Sequence, residues 1–249
     1  MNDLLLIGIG PGDPRQITYE AVEALRRATV FFLLDKGVGK AELLTLRTAI
    51  LARYVPDGQY RLVQIVDPVR DASADDYGAA VDNWHRQRAV LYAGVLRDEL
   101  GAGEVGAFLL WGDPCLYDST LRILDFVRQE GLALKLEVIP GISSVQALAA
   151  RHQIPLNRVG EPLTLVPGRR LATQGRIDNV VVMLDGRCAF AEVDDPDLVI
   201  YWGAYLGTAD EILVSGPLQA VKAQILEQRE RARRRKGWVM DTYLLRRAR

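Results

Sequence analysis

Leu4-Leu5-Leu6-Ile7-Gly8-Ile9-Gly10-Pro11-Gly12-Asp13 is a continuous apolar run that ends in three alternate glycines, a proline and a carboxylate. A strand apolar on both faces belongs inside a parallel sheet covered by helices on each side. The glycines that follow permit a tight strand-to-helix turn, and they let another backbone or a ligand approach closely. A dinucleotide-binding G-x-G-x-x-G would need its third glycine at position 13, where Asp13 stands. A carboxylate there repels a pyrophosphate, and Pro14 delays the helix whose N-terminus would hold one. This argues against a nicotinamide-dinucleotide site. A bare turn and a turn facing some other ligand both remain open.

Outward from this strand, short apolar runs recur at 30–34, 62–66, 105–111 and 134–139, separated by helical patterns. Thr18 caps a helix with Ala21, Leu25 and Ala28 on one face. Residues 75–100 place Tyr77, Val81, Trp84, Leu91 and Val95 at helical spacings, and 119–130 do the same with Leu121, Leu124 and Phe126. Strand-helix alternation of this kind predicts a doubly wound α/β sheet. The rhythm breaks at RHQIPLNRVGEP (151–162), which reads as a linker. Beyond it lie apolar runs at 163–166, 180–184, 198–202 and 238–245, and one long helix over 217–236. The expected architecture is an α/β domain over 1–155 with a mostly parallel sheet, followed by an α/β domain over 156–249 with a mixed sheet.

The 249 residues carry 31 Lys+Arg against 32 Asp+Glu, a formal net charge of −1, so no global field points to nucleic acid or a membrane surface. Hydrophobic residues at 49% and charged residues at 25% are ordinary globular composition and exclude wholesale disorder. No apolar run approaches the ~18–20 residues needed to cross a bilayer. The start MNDLLLIGIGPGD turns glycine-rich too soon for a signal peptide, and Cys115 and Cys188 form neither a CxxC nor a metal-ligand cluster. A reducing cytoplasm is the expected setting. His85 and His152 have no partner at ligand spacing. The arginine run 229–236 closes a helix just before Gly237, where cations complement the helix dipole, and no interleaved aromatics suggest base stacking.

Two further turns follow predicted strands. Trp111-Gly112-Asp113-Pro114-Cys115-Leu116-Tyr117-Asp118 sits at a carboxyl strand end, where open α/β sheets bind ligands, although Gly-Asp-Pro alone is a common turn. In Pro140-Gly141-Ile142-Ser143-Ser144, either serine can cap the following helix or contact a ligand.

The ordered set (GxGPGD at residue 8, WGDPxxYDS at 111, PGISS at 140, all after strands) resembles the tetrapyrrole methylase family, S-adenosylmethionine-dependent enzymes that methylate uroporphyrinogen and the precorrins. The resemblance spans essentially the whole chain. Within the family, LLDKGVGKAELLTLR, VIYWGAYLGTADEIL and KGWVMDTYLLRR look like the branch that methylates C1 of precorrin-5 and releases acetate to give precorrin-6A. A precorrin methylase with a different target carbon, or a non-catalytic corrinoid- or cofactor-binding protein, is the alternative.

The resemblance implies an active site in the cleft between the domains, with S-adenosylmethionine bound in a folded form and S-adenosylhomocysteine as product. Trp111, Gly112 and Asp113 would line the methionine end, with Tyr117 nearby and Ser143 and Ser144 in contact; Pro11 would form the floor. Adenine would be held mainly through backbone near Leu184, Asp185 and Ala204, although this chain reads Met183-Leu184-Asp185-Gly186 where many members have Met-Gly. For acetate release a water must be activated, and Asp13, Asp35 and Tyr117 are the candidate bases, with Lys36 as an oxyanion partner. Asp13 would face the macrocycle, and Asp35-Lys36-Gly37 is equally readable as a capped turn. Arg169 and Arg170, with Arg187 and Arg70 behind them, would meet the substrate's carboxylate arms. A homodimer is expected, with no metal.

Overall fold

The computed structural model describes residues 2–35, 41–56, 58, 60–68 and 77–248. By their contacts the residues form two compact units, Met1–Gly10 with Pro14–Ile142, and Pro11–Asp13 with Ser143–Arg249.

The first unit runs β1 (Asn2–Gly8), α1 (Tyr19–Arg27), β2 (Val30–Asp35), α2 (Ala41–Tyr54), β3 (Arg61–Val66), α3 (Tyr77–Glu99), β4 (Val105–Leu110), α4 (Thr120–Gln129) and β5 (Leu134–Ile139). Its sheet has the order β3-β2-β4-β1-β5, and every pairing is parallel. The run that opens the chain explains the layering. Leu4 and Leu6 face one side, where Tyr92 and Leu96 of α3 and Ile123, Leu124 and Val127 of α4 cover them. Leu5, Ile7 and Ile9 face the other side, against Ala21, Ala24 and Leu25 of α1 and Ile50 and Leu51 of α2. Each fully buried Leu or Ile contributes about 1.5–3 kcal/mol, so both faces of β1 hold their helices. Thr18 caps α1 as expected, its hydroxyl accepting the Ala21 amide at 3.1 Å.

Helix α2 was not legible, because its inner face carries a buried arginine, Arg47, beside Ile50 and Leu51. Strand β4 stops one residue short of Trp111, where Gly112 turns the chain at φ +70°.

The second unit contains α5 (Ser144–His152), β6 (Thr164–Pro167), β7 (Val180–Met183), β8 (Leu198–Ala204), β9 (Ile212–Pro217), α6 (Leu218–Lys236) and β10 (Asp241–Arg247). The sheet order is β6-β7-β10-β8-β9; β6 and β7 are parallel and the other pairs antiparallel, so the sheet is mixed. The last strand therefore occupies the centre. Its Tyr243 and Leu245 are fully buried among Phe190, Ile200, Trp202, Leu218 and Ile225. Strand β9 is an edge strand ending in Gly216-Pro217, too turn-like in composition to be read as a strand. Helix α5 packs on β8, β9 and β10, so the division by contacts falls after Ile142, whereas the composition break placed the cut at 155/156.

The arginine run ends α6 in the manner its composition implies. Arg231 and Arg234 pair with Glu227 and Glu230 one turn earlier, and Gly237 closes the helix at φ +77° with its amide on the Arg233 carbonyl. Among the described residues, no helix is long and apolar enough to cross a membrane.

Gly94 lies inside α3, and a Cβ built on it meets nothing within 4 Å. Gly94→Ala is expected to raise stability by about 0.5–1 kcal/mol in urea denaturation, through helix propensity alone. A loss of stability would contradict the packing of α3 described above.

Candidate active site

In the first sheet β4, β1 and β5 are neighbours. From β1 the chain leaves toward β2 on one side, and from β4 it leaves toward β5 on the other, so adjacent strands send their connections in opposite directions. That is the switch point of an open α/β sheet, and the crevice beyond its carboxyl ends is where such sheets bind ligands. All three glycine turns emerge here. The Ile9 amide donates to the Leu110 carbonyl at 2.9 Å, and Gly10 and Gly112 form an antiparallel bridge with N···O distances of 3.3 and 2.9 Å. A Cβ on Gly141 would stand 2.1 Å from the Gly112 carbonyl oxygen, and one on Gly8 would stand 2.6 Å from the Gly141 nitrogen. Glycine is required at 8 and 141 because backbone lies directly on backbone.

Asp113 stitches the turns together. One carboxylate oxygen accepts the Cys115 amide at 2.8 Å and the other accepts the Gly141 amide at 2.9 Å, so the carboxylate holds the β4 turn to the β5 turn. Asp118, one residue before the N-cap of α4, accepts the Thr120 amide at 2.7 Å. Between them Tyr117 adopts φ +53° with 42% of its surface exposed. A non-glycine residue in this region stores about 1–3 kcal/mol, and such strain concentrates at functional sites.

Beneath this segment, buried Arg88 pairs with Asp67 at 2.7 Å and donates to Ser119 Oγ at 3.2 Å and to the Tyr92 hydroxyl at 2.6 Å. Burial pushes the Tyr92 phenol well above its ordinary range, against the pull of that guanidinium. Arg47 donates to the Leu109 carbonyl at 2.9 Å, and burial holds its pKa below the usual arginine value.

In the second unit the expected residues gather around Thr242. Strands β7 and β8 both flank β10, so Met183 and Gly203 are register partners of Thr242, and Ala204 is the partner of Asp241. Ser144 Oγ lies 2.8 Å from Thr242 Oγ1. Ser143 is buried and caps α5 in a capping box with Gln146. Leu184, just past β7, adopts φ +53° and is 60% exposed, keeping the conformation in which glycine would be at ease. Asp185 is buried, and its carboxylate accepts the Arg187 amide at 3.2 Å, the Ala189 amide at 2.6 Å and the Tyr243 hydroxyl at 2.7 Å. Its side chain is thus engaged within the second unit. Pro11 is buried and Asp13 half-buried, while Gly12 packs so tightly that a Cβ would stand 2.9 Å from the Leu206 carbonyl oxygen.

Pro167 is the register partner of Met183, and a Cβ on Gly168 would touch the Asp185 carboxyl. Exposed Arg169 and Arg170, in the 3-10 helix Gly168–Thr173, and exposed Arg187 therefore stand on adjacent segments. Asp35 ends β2, and its side chain is not among those described; Lys36 and Arg70 lie outside the described residues.

Among the described residues Arg47, Arg88, Arg229 and Arg246 are buried, none of them singled out from the sequence, and Arg229 and Arg47 lie on apolar helix stripes. Arg229 donates to Asp241 Oδ2 at 3.0 Å and to the Asp185 carbonyl at 2.7 Å. It shares an inward helical stripe with Leu218, Ile225 and Ala232, as Arg47 does with Ile50 and Leu51. An arginine at an apolar-face spacing was the available signal in both cases.

The model for Tetrapyrrole (Corrin/Porphyrin) Methylases matches residues 3–222. The chain is 50% identical over 249 residues to a precorrin-6A synthase [deacetylating] of Sinorhizobium sp, covering 99% of this chain and 95% of that protein. The crystal structure of a cobalamin synthesis related protein (CobF) from Corynebacterium diphtheriae superposes with a TM-score of 0.86 at 38% identity, covering 99% of each chain. The uroporphyrin-III C-methyl transferase from Thermus thermophilus, crystallised with S-adenosyl homocysteine, shares the fold at a TM-score of 0.58 and 20% identity, covering 98% of this chain and 92% of that one.

Gly141→Ala is expected to cost at least about 1–3 kcal/mol in denaturant unfolding, because the obstructing atom is backbone and cannot swing away. Gly186→Ala, whose Cβ meets nothing within 4 Å, is the control, and it should stay within about 0.5 kcal/mol. Asp113→Asn sets an amide N–H against one of two backbone donors and should cost about 1–3 kcal/mol. Wild-type stability in Gly141→Ala or Asp113→Asn would contradict the described contacts.

Proposed function

The chain belongs to the tetrapyrrole (corrin/porphyrin) methylase family and is an S-adenosylmethionine-dependent methyltransferase; from that premise we propose that it methylates C1 of precorrin-5 and releases the extruded two-carbon unit as acetate, giving precorrin-6A. The observation that carries this choice of acceptor is the near-full-length similarity to the deacetylating precorrin-6A synthase.

S-adenosylmethionine supplies a methyl group on a positively charged sulfur, which the electron-rich macrocycle attacks. The protein's part is alignment and exclusion of water, and holding two reactants in line is worth about 7–11 kcal/mol. The residues present suit such a donor. The contacting backbones of Gly8, Gly112 and Gly141 carry no side chain into the space beyond the strand ends. Trp111, Gly112, Asp113 and Tyr117 are assigned to the methionine end, and Pro11 to the floor. Ser143 and Ser144 are assigned to the same donor; both hydroxyls are engaged within the second unit, which favours contact through backbone. Leu184, Asp185 and Ala204 are assigned to adenine. The internal bonding of the Asp185 carboxylate supports a backbone contact there.

Acetate release needs a water to attack the acyl carbon and lose a proton; the bond from that carbon to the macrocycle then breaks, and its electron pair passes into the conjugated ring system. Asp13 is the first candidate to receive that proton, with Asp35 and Tyr117 as the others and Lys36 beside the developing oxyanion. Exposed Arg169 and Arg170, with Arg187 on the adjoining loop and Arg70, are assigned to the acetate and propionate arms. The proposed working state is a homodimer in the cytoplasm, a setting consistent with two free cysteines.

Incubation with precorrin-5 and S-adenosylmethionine should give one acetate per methylated product. Methylated product without acetate would assign a different target carbon, and binding without turnover would assign a carrier. Asp13→Asn is expected to slow acetate release about 10²–10⁴-fold while leaving S-adenosylhomocysteine affinity intact. Unchanged acetate release would pass the role to Asp35 or Tyr117. The double variant Arg169→Ala, Arg170→Ala should raise KM for the macrocycle with little change in kcat.

A further inference from the structure

We infer that Arg229, far from the candidate site in sequence, is a positioning residue for the adenosyl end of the cofactor, acting by locking the loop that follows β7. The inference rests on the proposal that the backbone at Leu184 and Asp185 receives the adenine.

Residues 184–189 hold an unusual backbone. Leu184 and Cys188, neither of them glycine, both lie in the left-handed region at φ +53° and +59°. Two such residues within five persist only where their surroundings over-determine them. The surroundings here are a buried polar network. Arg229, 8% exposed, sends one arm of its guanidinium to Asp241 Oδ2 at 3.0 Å and another to the Asp185 carbonyl at 2.7 Å. The same Asp241 oxygen accepts the Trp202 indole N–H at 3.0 Å, which fixes the carboxylate. Below the loop, the Asp185 side chain accepts the Arg187 and Ala189 amides and the Tyr243 hydroxyl.

The peptide plane after Asp185 is thus held from α6, and the amides beyond it are held by Asp185 itself. The backbone at Leu184 and Asp185 is left in one orientation, with the Leu184 side chain standing 60% exposed beside it. An exposed apolar side chain on a strained backbone is the surface that a flat heterocycle would cover.

The geometry demands arginine in particular. A planar fork reaches two acceptors in fixed, divergent directions, whereas an ammonium is a single point on a flexible stem. Asp241 is needed because an unpaired buried cation is strongly destabilising. The network also ties this loop to α6 and β10.

The test is Arg229→Lys, with Asp241→Asn as the second variant should the first fail to fold; thermal unfolding and near-ultraviolet circular dichroism establish the folded state. S-adenosylhomocysteine binding is measured by calorimetry, and KM for S-adenosylmethionine and kcat are measured with precorrin-5. Loss of one charge-assisted hydrogen bond should weaken S-adenosylhomocysteine about tenfold to a hundredfold and raise KM by the same factor, with kcat at saturating donor within about twofold of wild type. A folded variant with wild-type affinity and only a lower melting temperature would overturn the inference and leave a purely structural network. A fall in kcat with KM unchanged would overturn it as well. If the wild-type protein itself does not bind S-adenosylhomocysteine, the cofactor reading falls and takes this inference with it.

Discussion

At the carboxyl ends of β4, β1 and β5 the chain lies backbone on backbone, with Gly8, Gly112 and Gly141 too close for any side chain between them. Strand order makes this contact inevitable. The connections from β1 and β4 leave in opposite directions, so their turns are the two that remain over the gap, and the turn from β5 closes it. Asp113 then spends both carboxylate oxygens on amides of two different turns, converting steric proximity into a fixed arrangement. The cost appears next door, where Tyr117 is strained and exposed. Any chemistry proposed for the turns depends on that close packing.

The second unit solves a related problem by different means. Its final strand enters the middle of the sheet, so that Thr242 and Asp241 sit between the ends of β7 and β8. Hydroxyl and carboxylate partners, rather than glycines, then hold the loops: Ser144 on Thr242, and Arg229 between Asp241 and Asp185. Buried charge is costly, and it is sustained here because Arg229 and Asp241 pair with each other and each bonds a further buried group, the Asp185 carbonyl and the Trp202 indole. The first unit achieves rigidity by omitting side chains, and the second by burying and pairing them.

How much of this was legible depended on whether the cause was local. The two-faced apolar run of β1, the cap at Thr18 and the cap at Ser143 or Ser144 are local, and each led to the right element. Helix α2 was not legible because Arg47 interrupts its inward stripe, and β9 was not because an edge run ending in Gly216-Pro217 looks like a turn. The glycine turns were legible as a set, but the reason for Gly8 and Gly141 was not, since it is a contact across 133 residues that only strand order creates. Arg229 was passed over as part of a basic helix end. Its partner Asp185 lies 44 residues away, so its place on the apolar stripe of α6 was the one local signal. Asp185, conversely, was expected near a ligand for its position, while its side chain proves to be fully used in holding the loop.

The most direct test of the central claim is a crystal structure with S-adenosylhomocysteine bound. Ligand density resting against the Gly112–Asp113 turn, with the Asp113 carboxylate still on the Cys115 and Gly141 amides, is the expected result. Density at the opposite end of the first sheet, by Thr29 and Tyr60, with the glycine turns bare, would contradict it.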